Sequence, residues 1–184
     1  MDENELIRHS KEGHLESFNK LVEVYQKQVY NLALRMLNDS QAAEDASQDA
    51  FFSAWRRIDS FRAGNFRAWL LRITTNACCD QLRMLKRHPT TSLDNLSLDP
   101  ESPPSSDSPE EYALRLELGE QIKKGLAGLP SDQKLAVILH DIQGLNYEEM
   151  VQVMGCSLGT VKSRLSRGRI RLRDYLRQQG TFPS

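Results

Sequence analysis

The chain has 184 residues, 39% of them hydrophobic and 27% charged, which is typical of one or two small folded domains and excludes a largely disordered chain. No apolar run is long enough to cross a bilayer, and the acidic start lacks the apolar segment of a secretory signal. We therefore expect a cytoplasmic protein without membrane insertion. The cysteines and histidines lack the spacing of a disulfide framework or a metal site, so we expect no metal or other cofactor.

The formal net charge of −1 hides an uneven distribution along the chain. Residues 89–128 carry 3 Lys/Arg against 8 Asp/Glu, a balance of −5, whereas residues 129–184 carry 8 against 5, a balance of +3. Seven basic residues and one acid lie between Lys162 and Arg177. Such a basic segment in a nearly neutral protein indicates a local polyanion contact, although a solvated charged helix has the same pattern.

The first half of the sequence predicts three helices, because apolar residues recur there at the three- and four-residue steps of a helix face. The first stripe consists of Leu15, Phe18, Leu21, Val22, Tyr25, Val29 and Leu32. The second stripe consists of Ala43, Ala50, Phe51, Ala54, Trp55 and Ile58. Asp39 or Ser40 is its expected N-cap. After a break around Gly64, residues 66–87 read as a third long helix.

Residues 89–110 differ in composition from the rest of the chain. They hold five of the seven prolines and six serines, with no aromatic residue. Such a segment buries too little apolar surface to offset its ordering entropy, so we interpret it as a flexible acidic linker. The predicted fold is all-α, with an N-terminal helical bundle over residues 1–88 and a C-terminal helical domain over residues 111–184.

Helical periodicity returns from Tyr112 onward. One apolar stripe consists of Leu114, Leu118, Ile122 and Leu126. After the Gly128–Pro130 interruption, Ser131 is expected to cap a further helix that runs through Ile142.

The next segment predicts two helices joined by a short turn. Asn146 and Glu149 have the spacing of a capping box, and Gly155 suits the left-handed residue that ends a helix. Ser157 can cap a second helix from Leu158 to about residue 177. Two helices joined by a tight glycine turn form a helix-turn-helix.

The second of these helices has two different faces. The predicted core face consists of Leu158, Val161, Leu165, Gly168, Leu172 and Leu176. The opposite face consists of Thr160, Lys162, Ser163, Ser166, Arg167, Ile170 and Arg171. Short hydroxyls allow close approach to base edges, and arginine reads guanine bidentately. Phosphates are expected at Arg164, Arg169 and Arg173. The alternative is an ordinary helical hairpin with a basic outer face.

These residues resemble a known family, the extracytoplasmic-function sigma factors of the bacterial sigma-70 family. The stretches 145–150 and 154–169 look like the family's C-terminal domain, which binds the −35 promoter element. The resemblance assigns this contact to Tyr147, Glu148, Thr160, Lys162, Ser163, Ser166, Arg167, Arg169 and Arg171.

The stretch 43–52 is similar to the family's helix that docks on the polymerase clamp. The resemblance assigns polymerase binding to Glu44, Asp45, Gln48, Asp49 and Phe52. The acids and the glutamine lie opposite the predicted core side chains of Phe51 and Trp55. An acidic face suits a basic protein partner and repels DNA. A plain solvated face is the alternative.

The stretch 61–73 resembles the loop and helix that open and read the −10 element. The residues assigned to this role are Phe61, Arg62, Asn65, Phe66, Arg72, Asn76, Asp80, Arg83 and Arg87. The last five share one helical stripe, in which Asp80 is expected to orient Arg83 or Asn76. The loop side chains can hold a base taken out of the stack. Alternatively, Phe61 and Phe66 belong to the core.

The resemblance implies a non-catalytic subunit that binds core RNA polymerase and directs initiation at promoter DNA. It also implies an anti-sigma partner, a stress or envelope-type regulon, no small-molecule substrate, and a linker that threads the polymerase interior. A plain tether explains the linker composition equally well. Competing hypotheses are a self-sufficient helix-turn-helix regulator that dimerises on DNA, and an enzyme, for which the sequence offers no catalytic set.

Overall fold

A computed structural model describes residues 2–87 and 108–180, and all the regular structure in these two ranges is helical, which confirms the all-α class. The elements are α1 (Glu3–Lys11), α2 (Leu15–Leu37), α3 (Ser40–Arg56), a 3₁₀ turn (Ile58–Ser60), α4 (Phe66–Arg87), α5 (Pro109–Ala127), α6 (Ser131–Val137), a π-helical turn (Ile138–Ile142), α7 (Tyr147–Met154) and α8 (Leu158–Gln178). The predicted linker lies outside the described residues, except for its last three positions, two of which already belong to α5.

Side-chain caps fix most of the helix starts where the sequence predicts them. The Asp39 carboxylate accepts from the Ala42 amide at 2.8 Å at the start of α3. Asn146 and Glu149 form the predicted capping box of α7. Gly155 ends α7 with φ of +61°, a left-handed conformation that favours glycine. These predictions are confirmed.

The start of α6 differs from the prediction. Ser131 is the first helical residue rather than the cap, and the cap position is occupied by Pro130. The Pro130 carbonyl accepts from the amides of Gln133 and Lys134 at 3.0 and 2.9 Å. A proline has its φ already fixed, so the chain enters the helix without a side-chain cap.

The N-terminal half packs α1–α4 around one core. The aromatic residues Tyr25 and Phe66 lie at its centre together with Leu21, Val29 and Leu70, all buried. Leu15 was predicted to belong to the core stripe of α2, but its side chain is 55% exposed. It is the first residue of α2, one turn ahead of Phe18, where the buried stripe begins.

The C-terminal half packs α5, α6 and α7 against α8. Val161, Leu165 and Leu176 are buried as predicted. Leu158 and Leu114 were also predicted to face the core, but they are 44% and 65% exposed. Leu158 is the first residue of α8, and Leu114 lies in the second turn of α5, ahead of the buried residues of each helix, so helical periodicity overstates the buried face there.

The two halves share a hydrophobic core. Leu32 and Met36 of α2 are buried in the same cluster as Leu135 and Leu139 of the C-terminal half. The first helix of the helix-turn-helix, α7, packs directly on α4. The sequence predicts two helical units but carries no pattern that specifies this arrangement.

Gly168 sets the distance between α8 and α6. A Cβ at this position would lie 2.8 Å from Val137 Cγ2 and 2.9 Å from the Gln133 carbonyl oxygen. Overpacking of this kind costs about 1–3 kcal/mol, against a gain of about 1 kcal/mol in helix propensity. We therefore expect Gly168→Ala to lower the urea midpoint of unfolding. Gly159→Ala, in the same helix with no neighbour nearer than 4.0 Å, is the matched control and should keep or raise the midpoint.

Candidate nucleic-acid interface

The outer side of α8 presents a polar, basic face. Lys162, Ser166, Arg167 and Arg171 are exposed, and Thr160 and Ser163 are half-buried at its edge. The Ser163 hydroxyl donates to the Thr160 carbonyl at 3.0 Å, so its oxygen stays available as an acceptor. Ser157 caps the helix through the Thr160 amide. The N-terminal half of α8 therefore carries exposed donors on a rigid, capped helix.

A stack of side chains extends this face onto α7. The Tyr147 ring lies 5.3 Å from the His140 ring, and Lys162 Nζ lies 5.5 Å from the Tyr147 centroid. Glu148, beside Tyr147, is exposed. A cation over an aromatic face is attracted by the ring quadrupole. The stack therefore holds the Lys162 ammonium over α7 at the rim of the face.

Arg169 is already engaged by an acid. Its guanidinium donates from Nε to Asp141 Oδ2 at 2.9 Å and from Nη2 to the other carboxylate oxygen. This hydrogen bonding lowers the pKa of Asp141 from its usual range. The pair ties α8 to the π-helical turn. Arg164 pairs similarly with Asp132 at 3.0 Å, and Arg173 pairs more loosely with the adjacent Asp174 at 3.4 Å, so all three arginines expected at phosphates have an acidic partner within the fold.

The outer side of α3 is acidic. Glu44, Asp45, Gln48 and Asp49 are all exposed, as predicted. Phe52, next to them, is 62% exposed and lies 5.6 Å from the Arg56 guanidinium carbon. These five predicted residues thus form one continuous surface, which we call the α3 face.

The basic stripe of α4 is also exposed. Arg72, Asn76, Asp80, Arg83 and Arg87 all face solvent, and we call them the α4 stripe. Arg83 Nη1 donates to Asp80 Oδ1 at 2.6 Å. Arg83 and Asn76 were the two partners expected for Asp80, and in the structure Asp80 binds Arg83.

The loop before α4 departs from the prediction that its rings hold a base. Phe61 and Phe66 are buried, and their rings pack against each other and against Trp69 at centroid distances of 5.4–5.5 Å. The Lys11 ammonium donates to the Phe61 carbonyl. Both phenylalanines therefore belong to the core in this structure, which was the alternative to base binding, because their rings pack within the N-terminal core. Arg62 is exposed.

Asn65 has two partners. Its Oδ1 accepts from the Ala68 amide at 3.0 Å, which caps α4. Its Nδ2 donates to Glu149 Oε1, across to α7. Asn65, which was predicted to contact the −10 element, therefore has its side-chain amide bound to the C-terminal half in this structure.

Family models match both halves of the chain. The model of Sigma-70 region 2 matches residues 21–88, and the model of Sigma-70 region 4 matches residues 119–172. The chain is 38% identical over 161 residues to the ECF RNA polymerase sigma factor SigE of Mycolicibacterium smegmatis, covering 87% of this chain and 62% of that protein. It is 34% identical over 179 residues to SigW of Bacillus subtilis, covering 93% and 95%. The chain belongs to the extracytoplasmic-function sigma factors.

A solved structure supports the same family. The sigma factor RpoE of Bartonella quintana, solved with the anti-sigma factor NepR, matches with a TM-score of 0.68 at 28% identity and covers 88% of this chain and 98% of that one. Sigma factors are non-catalytic subunits that direct RNA polymerase to promoters, so the chain is a transcription initiation factor and not an enzyme. Within the described ranges, no helix is long and apolar enough to span a bilayer.

Residues that join the halves of this sigma factor are absent from the sequence-based prediction. Arg67 donates from Nε to Gln28 Oε1 at 2.8 Å and from Nη2 to the Gln143 carbonyl. Lys134 donates to the Met36 carbonyl at 3.0 Å. No motif or periodicity in the sequence marks these residues, because their partners lie 39–98 residues away.

Arg169 and Arg171 are expected to differ in their contribution to DNA binding. Arg169 is paired with Asp141, whereas Arg171 is exposed and has no hydrogen-bond or ion-pair partner among the described residues. Loss of one phosphate contact lowers the salt slope of binding by about 0.9. We expect Arg171→Ala to lower the slope by this amount and Arg169→Ala to leave it unchanged. The measurement is promoter-duplex binding by the factor with core polymerase at several salt concentrations. Equal slopes for the two variants would contradict the assignment.

Proposed function

We propose that three surfaces divide the work of this sigma factor: the α3 face binds core polymerase, the α4 stripe contacts the −10 element, and α8 contacts the −35 element. The proposed functional domains are residues 1–88 and 111–184. The observation that carries the proposal is the segregation of charge, with acids gathered on α3 and arginines on α4 and α8. The proposed compartment is the cytoplasm, where the polymerase works.

The α3 face has the chemistry of a protein-binding surface. Its carboxylates repel DNA phosphates and attract a basic partner, which gives both affinity and discrimination. Phe52 adds an exposed aromatic side chain at the edge of the acids. Exposed aromatic residues surrounded by polar groups are typical of interface centres. This combination favours docking on a basic surface of polymerase.

The α8 face has the chemistry of a DNA-reading surface. Ser166 and Arg167 are exposed on its N-terminal half, on the side away from the buried Val161 and Leu165. In a helix-turn-helix this part of the second helix enters the major groove. Arg167 can therefore bind guanine bidentately, and residues further along the helix meet phosphates.

The α4 stripe has the chemistry of a strand-binding surface. The Asp80 carboxylate accepts a hydrogen bond from the Arg83 guanidinium, which favours an orientation in which the guanidinium is held along the stripe for a phosphate or a base. Arg72 and Arg87 extend the donors in both directions along the helix. The rings of Phe61 and Phe66 are buried and could stack on a base only after leaving the core, so the proposal for −10 contact rests on the α4 stripe.

An anti-sigma factor is the further partner that we propose. The Bartonella relative was solved with the anti-sigma factor NepR. A stress or envelope-type regulon under such control remains part of the proposal. Co-purification of this chain with the product of an adjacent reading frame would test it.

Asp49→Lys should weaken the binding of core polymerase at least tenfold while leaving the fold intact, because Asp49 is exposed and surrounded by other acids of the α3 face. The measurement is the dissociation constant for core polymerase, together with run-off transcription. Glu16→Lys makes the same charge change on an exposed residue of α2 and serves as the control. If Asp49→Lys and Glu16→Lys bind core polymerase alike, the docking assignment is wrong.

Arg167→Ala should relax sequence discrimination at the −35 element, whereas Arg173→Ala should weaken binding to all sequences alike. One lost bidentate base contact costs about 1–3 kcal/mol at its position. Arg173 lies almost two turns further along α8, where the helix leaves the groove.

A panel of −35 variants at several salt concentrations measures both effects. Equal loss on every −35 variant for Arg167→Ala would identify Arg167 as a phosphate contact and overturn the orientation of α8.

A further inference from the structure

Arg35 is a half-buried cation in the last turn of α2. No acid or hydrogen-bond acceptor among the described residues pairs with its guanidinium, and burial lowers the pKa of Arg35 from its usual range. The negative end of the helix dipole favours a cation here, but that effect does not require burial. A charge that is partly removed from water without a counter-charge is destabilising. An anion beside Arg35 would therefore offset a cost that the fold leaves.

Arg35 lines a pocket between α2 and α5 that has a volume of about 220 Å³. The remaining wall is mainly apolar and includes Leu34, Ile122, Leu126, Ala127 and Ile142. Leu34 and Ile122 are half-buried and Ile142 is 39% exposed, so the fold leaves apolar surface uncovered at this point. An apolar cavity of about 150 Å³ can hold benzene, so this pocket has room for an apolar body of about six to eight carbons.

Gly119 forms part of the same wall. It lies inside α5, where glycine destabilises a helix relative to alanine. Its φ is not positive, and a Cβ at this position would meet no neighbour within 4 Å. Neither the backbone conformation nor close packing therefore requires glycine here. What the missing side chain provides is room in the pocket.

The charges around the pocket favour an anion with a single negative charge. Lys123 lies on the α5 side of the pocket, and its ammonium is 3.9 Å from Glu120 Oε1. Glu120 offsets part of the charge of Lys123, so the Arg35 guanidinium is the principal cation. A guanidinium binds a carboxylate through two parallel N–H donors. One such cation beside an apolar wall suits a monocarboxylate, whereas a phosphate monoester with two charges needs more donors.

We propose that the pocket between α2 and α5 binds a small apolar monocarboxylate, whose carboxylate pairs with Arg35 and whose hydrocarbon body lies against Ile122, Leu126 and Ile142. Medium-chain fatty acids and arylalkanoic acids belong to this chemical class. The proposal goes beyond promoter recognition and does not depend on which surfaces bind polymerase or DNA. A ligand that binds only the folded chain stabilises it by mass action. The stability of the factor therefore rises with the concentration of such acids.

Isothermal titration calorimetry of the full-length chain with octanoate tests the site. We expect one site of submillimolar affinity, and a melting temperature that rises with octanoate concentration. 1-Octanol has the same apolar body without the charge and should bind at least tenfold more weakly. Inorganic phosphate has charge without the body and should not bind. Absence of octanoate binding overturns the site, and octanol or phosphate binding as tight as that of octanoate overturns its assignment to a monocarboxylate.

Arg35→Met keeps a long unbranched side chain and removes the charge. It should weaken octanoate binding at least tenfold and leave octanol binding unchanged. The ligand-free variant should melt at the same or a higher temperature, because a half-buried charge without a partner is removed. Arg57→Met makes the same change at an exposed residue just after α3 and should bind octanoate like the wild type. Unchanged octanoate affinity in Arg35→Met overturns the role of Arg35.

Gly119→Leu fills the pocket from the α5 side and gives a second, independent variant. It should fold and melt at a higher temperature, because leucine favours a helix more than glycine and no neighbour lies near the added Cβ. It should abolish octanoate binding. Ala113→Leu, at an exposed position of the same helix, is the matched control and should keep the wild-type affinity. Octanoate binding by Gly119→Leu as tight as that of the wild type places the ligand elsewhere and overturns the pocket.

Discussion

The last two turns of α2 are the part of the structure on which both halves depend. Leu32 and Met36 bury their side chains in the core that also contains Leu135 and Leu139, and the Met36 carbonyl binds Lys134. The same helix carries Tyr25 and Val29 into the N-terminal core. One helix therefore belongs to two cores at once, and this sets the arrangement of every surface described above.

Much of the molecule could be predicted from its sequence because the determining interactions are local. The helix α4 spans residues 66–87 as its periodicity predicts, and Asn146, Gly155 and Ser157 fix the helix-turn-helix through contacts within four residues. Errors occur at the ends of helices, where an apolar stripe continues beyond the part of the helix that is buried. Leu15 and Leu158 continue apolar stripes but lie in the first turns of their helices, beyond the buried part of each stripe.

The contacts between the halves could not be predicted in this way. Lys134 looks like an ordinary solvated lysine in sequence, and its buried position follows only from a partner 98 residues earlier. The same holds for Arg169, whose pattern predicts a phosphate contact and whose partner Asp141 comes from a different element. Phe61 and Phe66 fit both a base platform and a core, and only the packing of Trp69 and Tyr25 around them decides between the two.

Helix α8 has to be held in a fixed orientation and also has to present side chains to DNA, and these two requirements often conflict. The Arg169–Asp141 pair allows different residues to meet them. Helix orientation is secured by this pair and by the buried Val161 and Leu165, none of which is among the side chains best placed to meet a base. Ser166 and Arg167 are exposed and contribute nothing to the core. Mutations at these two positions can therefore accumulate and redirect the factor to new promoters while the fold keeps its stability, so duplicated copies of such a gene can diverge in target before they diverge in structure.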